Sequence, residues 1–152
     1  MTGGARRAWP TVDDLALHAR TALEQVCARG DLERARELYA LDFIDHVNAL
    51  EFHGQEGIAR SVALYRALFP DLRIDVVDQV SGGDQVVSRW TLQGTHRGWR
   101  VTLEGITISR FENGQIAEDW TVSDNLGLLR QIGLRRGLAL GARYVRRRLR
   151  GA

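Results

Sequence analysis

The chain has no lysine among its 21 basic residues, a single cysteine and no long apolar run. Each shortage excludes something. One thiol, Cys27, cannot form an intrachain disulfide and fits a reducing compartment. No hydrophobic stretch approaches the roughly 20 residues of a membrane span, and Arg6 and Arg7 are not followed by the apolar core of a signal peptide. The expected location is the cytoplasm. The missing lysines reflect base-composition bias, because no single mechanism needs arginine alone. Acids are missing from one region only: residues 134–152 hold seven arginines and no Asp or Glu. Without that tail, 14 arginines face 19 acids, a balance of −5, so the overall charge of +2 belongs to the tail. A net-acidic body without basic residues interleaved with aromatics argues against nucleic acid as a partner. No His, Cys and carboxylate set has metal-ligand spacing, and neither a metal nor another cofactor is expected.

At 152 residues the chain suits one domain with a substantial core. Residues 1–10 read as a flexible leader, 11–133 as the folded domain and 134–152 as an Arg-rich tail. Thr11-Val-Asp-Asp14 resembles a capping box opening a helix that ends before Gly30. Asp31 caps a second helix over LERARELYA, and DFIDHVN reads as a short strand. Gly54 and Gly57 bracket the start of a third helix, with Ile58, Val62, Tyr65 and Leu68/Phe69 as its apolar stripe, and Pro70 stops it. Strands follow over 72–80, 85–95, 100–111 and 115–123, then a short helix NLGLLRQI capped by Ser123 or Asp124. This order gives an α+β fold, a curved antiparallel sheet wrapped around three N-terminal helices.

The turn Glu112-Asn113-Gly114 decides which side chains share a face. A two-residue loop pairs Ile108 with Asp119 and mixes both faces. A three-residue loop with Gly114 in the left-handed region pairs Thr107 with Asp119 and sorts them. Gly105, Thr107, Ser109, Ala117, Asp119 and Thr121 then share a small polar face. Ile106, Ile108, Ile116, Trp120 and Val122 form a large apolar one. A one-residue slip exchanges the faces, so the sorted register is the expected one. Periodicity alone leaves open which face meets the helices.

Four segments, GDLERARELYALDFIDH, FPDLRIDVVDQVSGGDQVVSRW, GTH and NGQIAEDWTVSDNLGLLRQIG, together resemble the SnoaL-like polyketide cyclases of the nuclear-transport-factor-2-like superfamily. The resemblance covers roughly residues 12–133. It implies a cone-shaped domain, usually dimeric through the outer sheet face, with a pocket between helices and sheet. It therefore turns Asp119 and Thr121 inward. It also implies a cyclase of the lyase or isomerase type in antibiotic-type secondary metabolism, closing a polyketide ring by acid/base catalysis without metal or cofactor. By this alignment Thr121 stands where the family has its acid/base aspartate, and Asp119 where a histidine stands. Asp45 aligns with a pocket asparagine, and Thr107 with a second histidine. A short turn, THRGWR, replaces the family's Pro-Pro-Thr-Gly loop. Relatives with altered sets include ring hydroxylases and epoxide-opening cyclases, and a non-catalytic small-molecule binder is a third alternative.

Asp119 is the expected acid/base, because burial in an apolar pocket raises a carboxyl's pKa toward neutrality. Asp45 would face it, so that one carboxyl holds a proton while the other ionises. The plainer readings are a solvated strand aspartate and one bonding local amides. His46, on the same strand, is the third catalytic candidate, although a histidine beside an apolar run is more often structural. Thr121 and Thr107 would bond substrate oxygens, against a background of ordinary β-propensity. Trp90, Tyr65 and Phe69 would wall the pocket, or simply fill the core, and His96 would lie at its mouth. The substrate would be a polyketide-like small molecule. The basic tail, with Leu134, Leu138, Val145 and Leu149 at near-heptad spacing, would suit an acidic acyl carrier protein as partner.

Overall fold

The computed structural model describes residues 10–133 together with 142, 145 and 146. Residues 1–9 of the leader and most of the Arg-rich tail, Leu134, Leu138 and Leu149 of its near-heptad set included, lie outside the described residues.

Local signals set the helix ends. The Thr11 hydroxyl accepts from the Asp14 N–H, and the Asp14 carboxylate accepts from the Thr11 N–H at 2.8 Å. Helix α1 (Val12–Thr21) continues without a break into a wider π-type turn over Ala22–Cys27. Asp31 caps α2 (Leu32–Leu38) through the Arg34 N–H at 3.0 Å. Strand β1 (Tyr39–Val47) is longer than DFIDHVN. The short β2 (Leu50–His53) was not anticipated, because it is only four residues long and follows a turn at Asn48. Helix α3 spans Gly54–Leu68. The meander follows as β3 (Arg73–Gly82), β4 (Gln85–His96), β5 (Trp99–Glu112) and β6 (Gln115–Ser123), and Asp124 caps α4 (Asn125–Ile132).

The strands form one curved, unclosed sheet in the order β2-β1-β6-β5-β4-β3. β1 runs parallel to β6, and the other pairs are antiparallel. The helices lie against the concave face. Phe43, Val26, Val86 and Ile116 fill one end of the interior, and Leu68, Phe69, Val101 and Leu92 the other.

The register corrects the sequence-based expectation in its detail. Asn113 (φ 52°) and Gly114 (φ 82°) form a two-residue turn, and Glu112 pairs with Gln115. Both central residues with positive φ match the twist of a tight hairpin. The parity is restored three residues later. Phe111 pairs with Ile116, but Arg110 pairs with Glu118, so Ala117 is the extra residue of a β-bulge. Beyond it Thr107 faces Thr121, Ser109 faces Asp119 and Gly105 faces Ser123. The anticipated pairing of Thr107 with Asp119 is thus displaced by two residues, while the sorted faces survive. Ile116 lies ahead of the bulge. It is therefore buried among the helix-side residues, not on the outer face where it was expected.

The small polar face is the buried one. Thr107 is 1% exposed, Ser109 3% and Asp119 6%, whereas Trp120 is 36% exposed and Val122 63%.

Candidate active site

A cavity with about 660 Å³ of empty space, its open mouth included, lies between the helices and the concave sheet face. The π-type turn contributes Leu23 and Cys27, and α3 contributes Ser61, Val62 and Tyr65. Most of the wall is apolar, and among the described residues no basic side chain lines it. Two carboxyls interrupt it. Asp45 and Asp119 occupy facing positions of the parallel β1–β6 pair, whose backbones are about 5 Å apart. Both sit on the inward face because alternation along β1 turns Phe43, Asp45 and Val47 the same way.

Their electrostatics differ. Burial pushes Asp45 up to about 7, while the nearby His46 and a hydrogen bond with Ser61 pull the other way. Burial holds Asp119 well above the ordinary carboxylate range, and the charge on Asp45 raises it further. A hydrogen bond with Ser109 only partly opposes this. Asp45 therefore ionises first, and its charge keeps the proton on Asp119. The Asp119 Oδ1 is buried without a hydrogen-bond partner among the described residues. An orphaned buried oxygen is costly, and such groups concentrate where a ligand completes the bonding.

Neutral polar groups surround the pair. Burial pushes the Cys27 thiol up to about 12, with the two carboxyl charges adding to it, so the thiol stays protonated. Tyr39 is raised for the same first reason, and its hydroxyl lies 3.9 Å from the Cys27 Sγ. On the sheet side the Trp90 indole donates to the Thr107 hydroxyl at 2.9 Å, and Thr107 meets Thr121 at 2.8 Å.

The structure gathers Asp119, Asp45, Thr121, Thr107, Trp90 and Tyr65 around one cavity. Three anticipated site residues lie elsewhere. His46 faces the opposite side of the sheet, where it bonds Glu118 at 2.9 Å and Glu51 at 3.1 Å and stacks on Trp120. Alternation explains this: the neighbour of an inward Asp45 must point outward. Phe69 packs into the core, against Gly94. His96 bonds the Leu68 carbonyl at 2.8 Å and meets the Phe69 ring edge-on. Conversely, Ser61, Tyr39 and Cys27 were missed as site residues. Ser61 left a readable signal, a small polar residue beside Val62 within the apolar stripe of α3. Tyr39 left none, since it reads as the last turn of α2.

Among the described residues, no group of three or more His, Cys, Asp or Glu side chains could hold a metal ion, and no helix is long and apolar enough to cross a membrane.

A family model described as SnoaL-like polyketide cyclase matches residues 17–132. This chain belongs to that family. Its solved relatives share the cone-shaped, nuclear-transport-factor-2-like fold. IdmH of Streptomyces antibioticus, described as a candidate polyketide cyclase, is 30% identical, covers 82% of this chain and 99% of its own, and superposes with a TM-score of 0.66. An IdmH variant with a truncated loop is 32% identical over 78% of this chain and 99% of its own, with a TM-score of 0.69. TsrD of Streptomyces laurentii is 27% identical over 86% of this chain and 98% of its own, with a TM-score of 0.67. Among curated protein sequences no relative matches.

Proposed function

We propose that this SnoaL-like chain is a cofactor-independent cyclase that closes a ring in a polyketide-type molecule, with Asp119 and Asp45 as its acid/base pair. The observation that carries this reading is the buried, unpartnered Asp119 oxygen facing a cavity opposite a second carboxyl. Two carboxyls of unequal proton affinity divide the roles. Asp45, titrating near 7, takes a proton from the carbon beside a substrate carbonyl. The new carbon–carbon bond forms on a second carbonyl. Asp119, which keeps its proton, delivers it to the oxygen of that second carbonyl. Passing the proton from Asp45 to Asp119 then restores the starting state. The mostly apolar wall suits a carbon-rich substrate, and excluding water strengthens each hydrogen bond to its oxygens.

The working form is a cytoplasmic homodimer of natural-product biosynthesis. Ile106, Trp120 and Val122 leave apolar surface on the outer sheet face, as a second copy requires. The acyl carrier protein considered for the basic tail remains a further partner of this proposal.

The test is turnover of the native substrate by Asp119→Asn and Asp45→Asn. Each substitution keeps the side-chain shape and is expected to lower kcat about 10²–10⁴-fold, the usual worth of a positioned acid or base. An Asp119→Asn enzyme running at the unaltered rate would remove that residue from the mechanism.

A further inference from the structure

The hydroxyls on the sheet wall carry a direction. The Trp90 indole N–H can only donate, and it donates to the Thr107 oxygen. Thr107 is 1% exposed, so its own hydrogen must find an acceptor inside the fold. Among the described residues the acceptor in reach is Thr121, whose hydroxyl lies 2.8 Å away. Thr107 therefore donates and Thr121 accepts. The hydrogen of Thr121 is left to point elsewhere, and Thr121 lines the cavity. Asp119 Oδ1 does not take it, since that oxygen has no partner among the described residues.

The relay is held in place by shape as well. A Cβ on Gly105 would sit 2.3 Å from the Trp90 ring, so the glycine leaves the notch in which the indole lies. Gly105 also lies directly across the β4–β5 pair from Trp90. Any larger residue there would displace the donor that orients the chain of hydroxyls.

We infer that Trp90 is a positioning residue: acting through Thr107, it sets Thr121 as a hydrogen-bond donor to a carbonyl oxygen of the substrate. The inference rests on reading this cavity as the reaction site. It specifies that the substrate presents an acceptor, not a hydroxyl donor, to the β6 wall two residues from Asp119. Each donor in the row polarises the next, so the last one is stronger than an isolated threonine. The site thus combines two donors, Thr121 and protonated Asp119, on the inward face of one strand.

The experiment uses 2-acetylnaphthalene labelled with carbon-13 at its carbonyl and infrared difference spectroscopy on the full-length protein. In the unaltered protein the bound carbonyl band should lie below its position in hexane. Thr121→Val should abolish most of that lowering, and Thr121→Ser should restore it. Trp90→Phe and Thr107→Val should each leave a partial lowering, because Thr121 remains but is no longer oriented. Thr107→Val keeps the indole wall, so it separates lost direction from lost packing. A band unchanged in Thr121→Val, or a ketone that does not bind up to its solubility limit, overturns the carbonyl site. A band unchanged in both Trp90→Phe and Thr107→Val overturns the relay. The spectrum needs no turnover. A protein that shows the Thr121-dependent shift yet cyclises nothing would refute the proposed function and leave this inference standing.

Discussion

Replacing Asp45 by asparagine should make the folded chain more stable above neutrality, although it removes a site residue. In the fold the carboxyl titrates near 7, against an ordinary value of 3.8. Below about 3.8 folded and unfolded chains both hold the proton, and the group adds no pH dependence. Between the two values the unfolded chain releases its proton while the folded chain keeps it. The folded state then binds more protons, so its stability falls as pH rises. The interval is about 3 pH units (7 − 3.8 = 3.2), and each unit is worth about 1.4 kcal/mol, which sets a ceiling of ~4 kcal/mol reached near pH 7. Asp45 borders a cavity with an open mouth, so screening by solvent brings the measured loss below that ceiling. The charged and titratable neighbours are His46 on its own strand, Asp119 across β6, and Cys27 and Tyr39, whose raised pKa values keep them neutral through this range. Asparagine keeps the shape and cannot ionise. Removing the Asp45 charge also eases Asp119, which changes stability in the same direction. The assay is urea unfolding from about pH 4 to pH 8.5 at one protein concentration. The variant's advantage should grow with pH between 4 and 7 and then flatten. An advantage that stays constant with pH, or one that shrinks as pH rises, refutes the assignment of Asp45 as a half-buried, late-titrating carboxyl.

Three further outcomes follow from single contacts. Gly105→Ala should lower stability by about 1–3 kcal/mol, seen as a reduced Tm, because its Cβ would meet the Trp90 ring at 2.3 Å and the Val122 carbonyl oxygen at 2.8 Å. Cys27, held protonated up to about 12, should react with a thiol reagent near neutral pH only after denaturation; rapid labelling of the native chain would contradict its placement. Trp120→Asp should convert the proposed dimer to a folded monomer in light scattering, since Trp120 is 36% exposed on the outer face, and an unchanged mass would move the interface elsewhere.

Much of this arrangement was legible because it rests on local chemistry. Thr11, Asp31 and Asp124 announce helix starts through side chains that bond amides three residues on. What escaped were features set by distant partners. β2 is a strand only because β1 lies beside it, and Tyr39 joins the cavity only because β1 begins one residue after α2 ends. His46 was misplaced for a simpler reason. It shares a strand with Asp45, and two neighbours on one strand cannot both face one cavity.

The hairpin shows why a functional face can be read correctly from an incorrect pairing. The side-chain alternation of a strand has period two, so a register wrong by two residues leaves every face unchanged. The two-residue Asn113-Gly114 turn alone would have mixed the faces, setting Ile108 beside Asp119 in one row. The bulge at Ala117 adds the one residue that re-sorts them. Thr107, Ser109, Asp119 and Thr121 enter the interior as a set because of that residue, and Trp120 leaves it. Deleting Ala117 would reverse this. It would turn Asp119 and Thr121 to the outer face and drive Trp120 into a cavity already walled by Trp90, so the variant should lose both ketone binding and cooperative unfolding. A bulge that served only the twist of the sheet would tolerate its loss with the cavity intact.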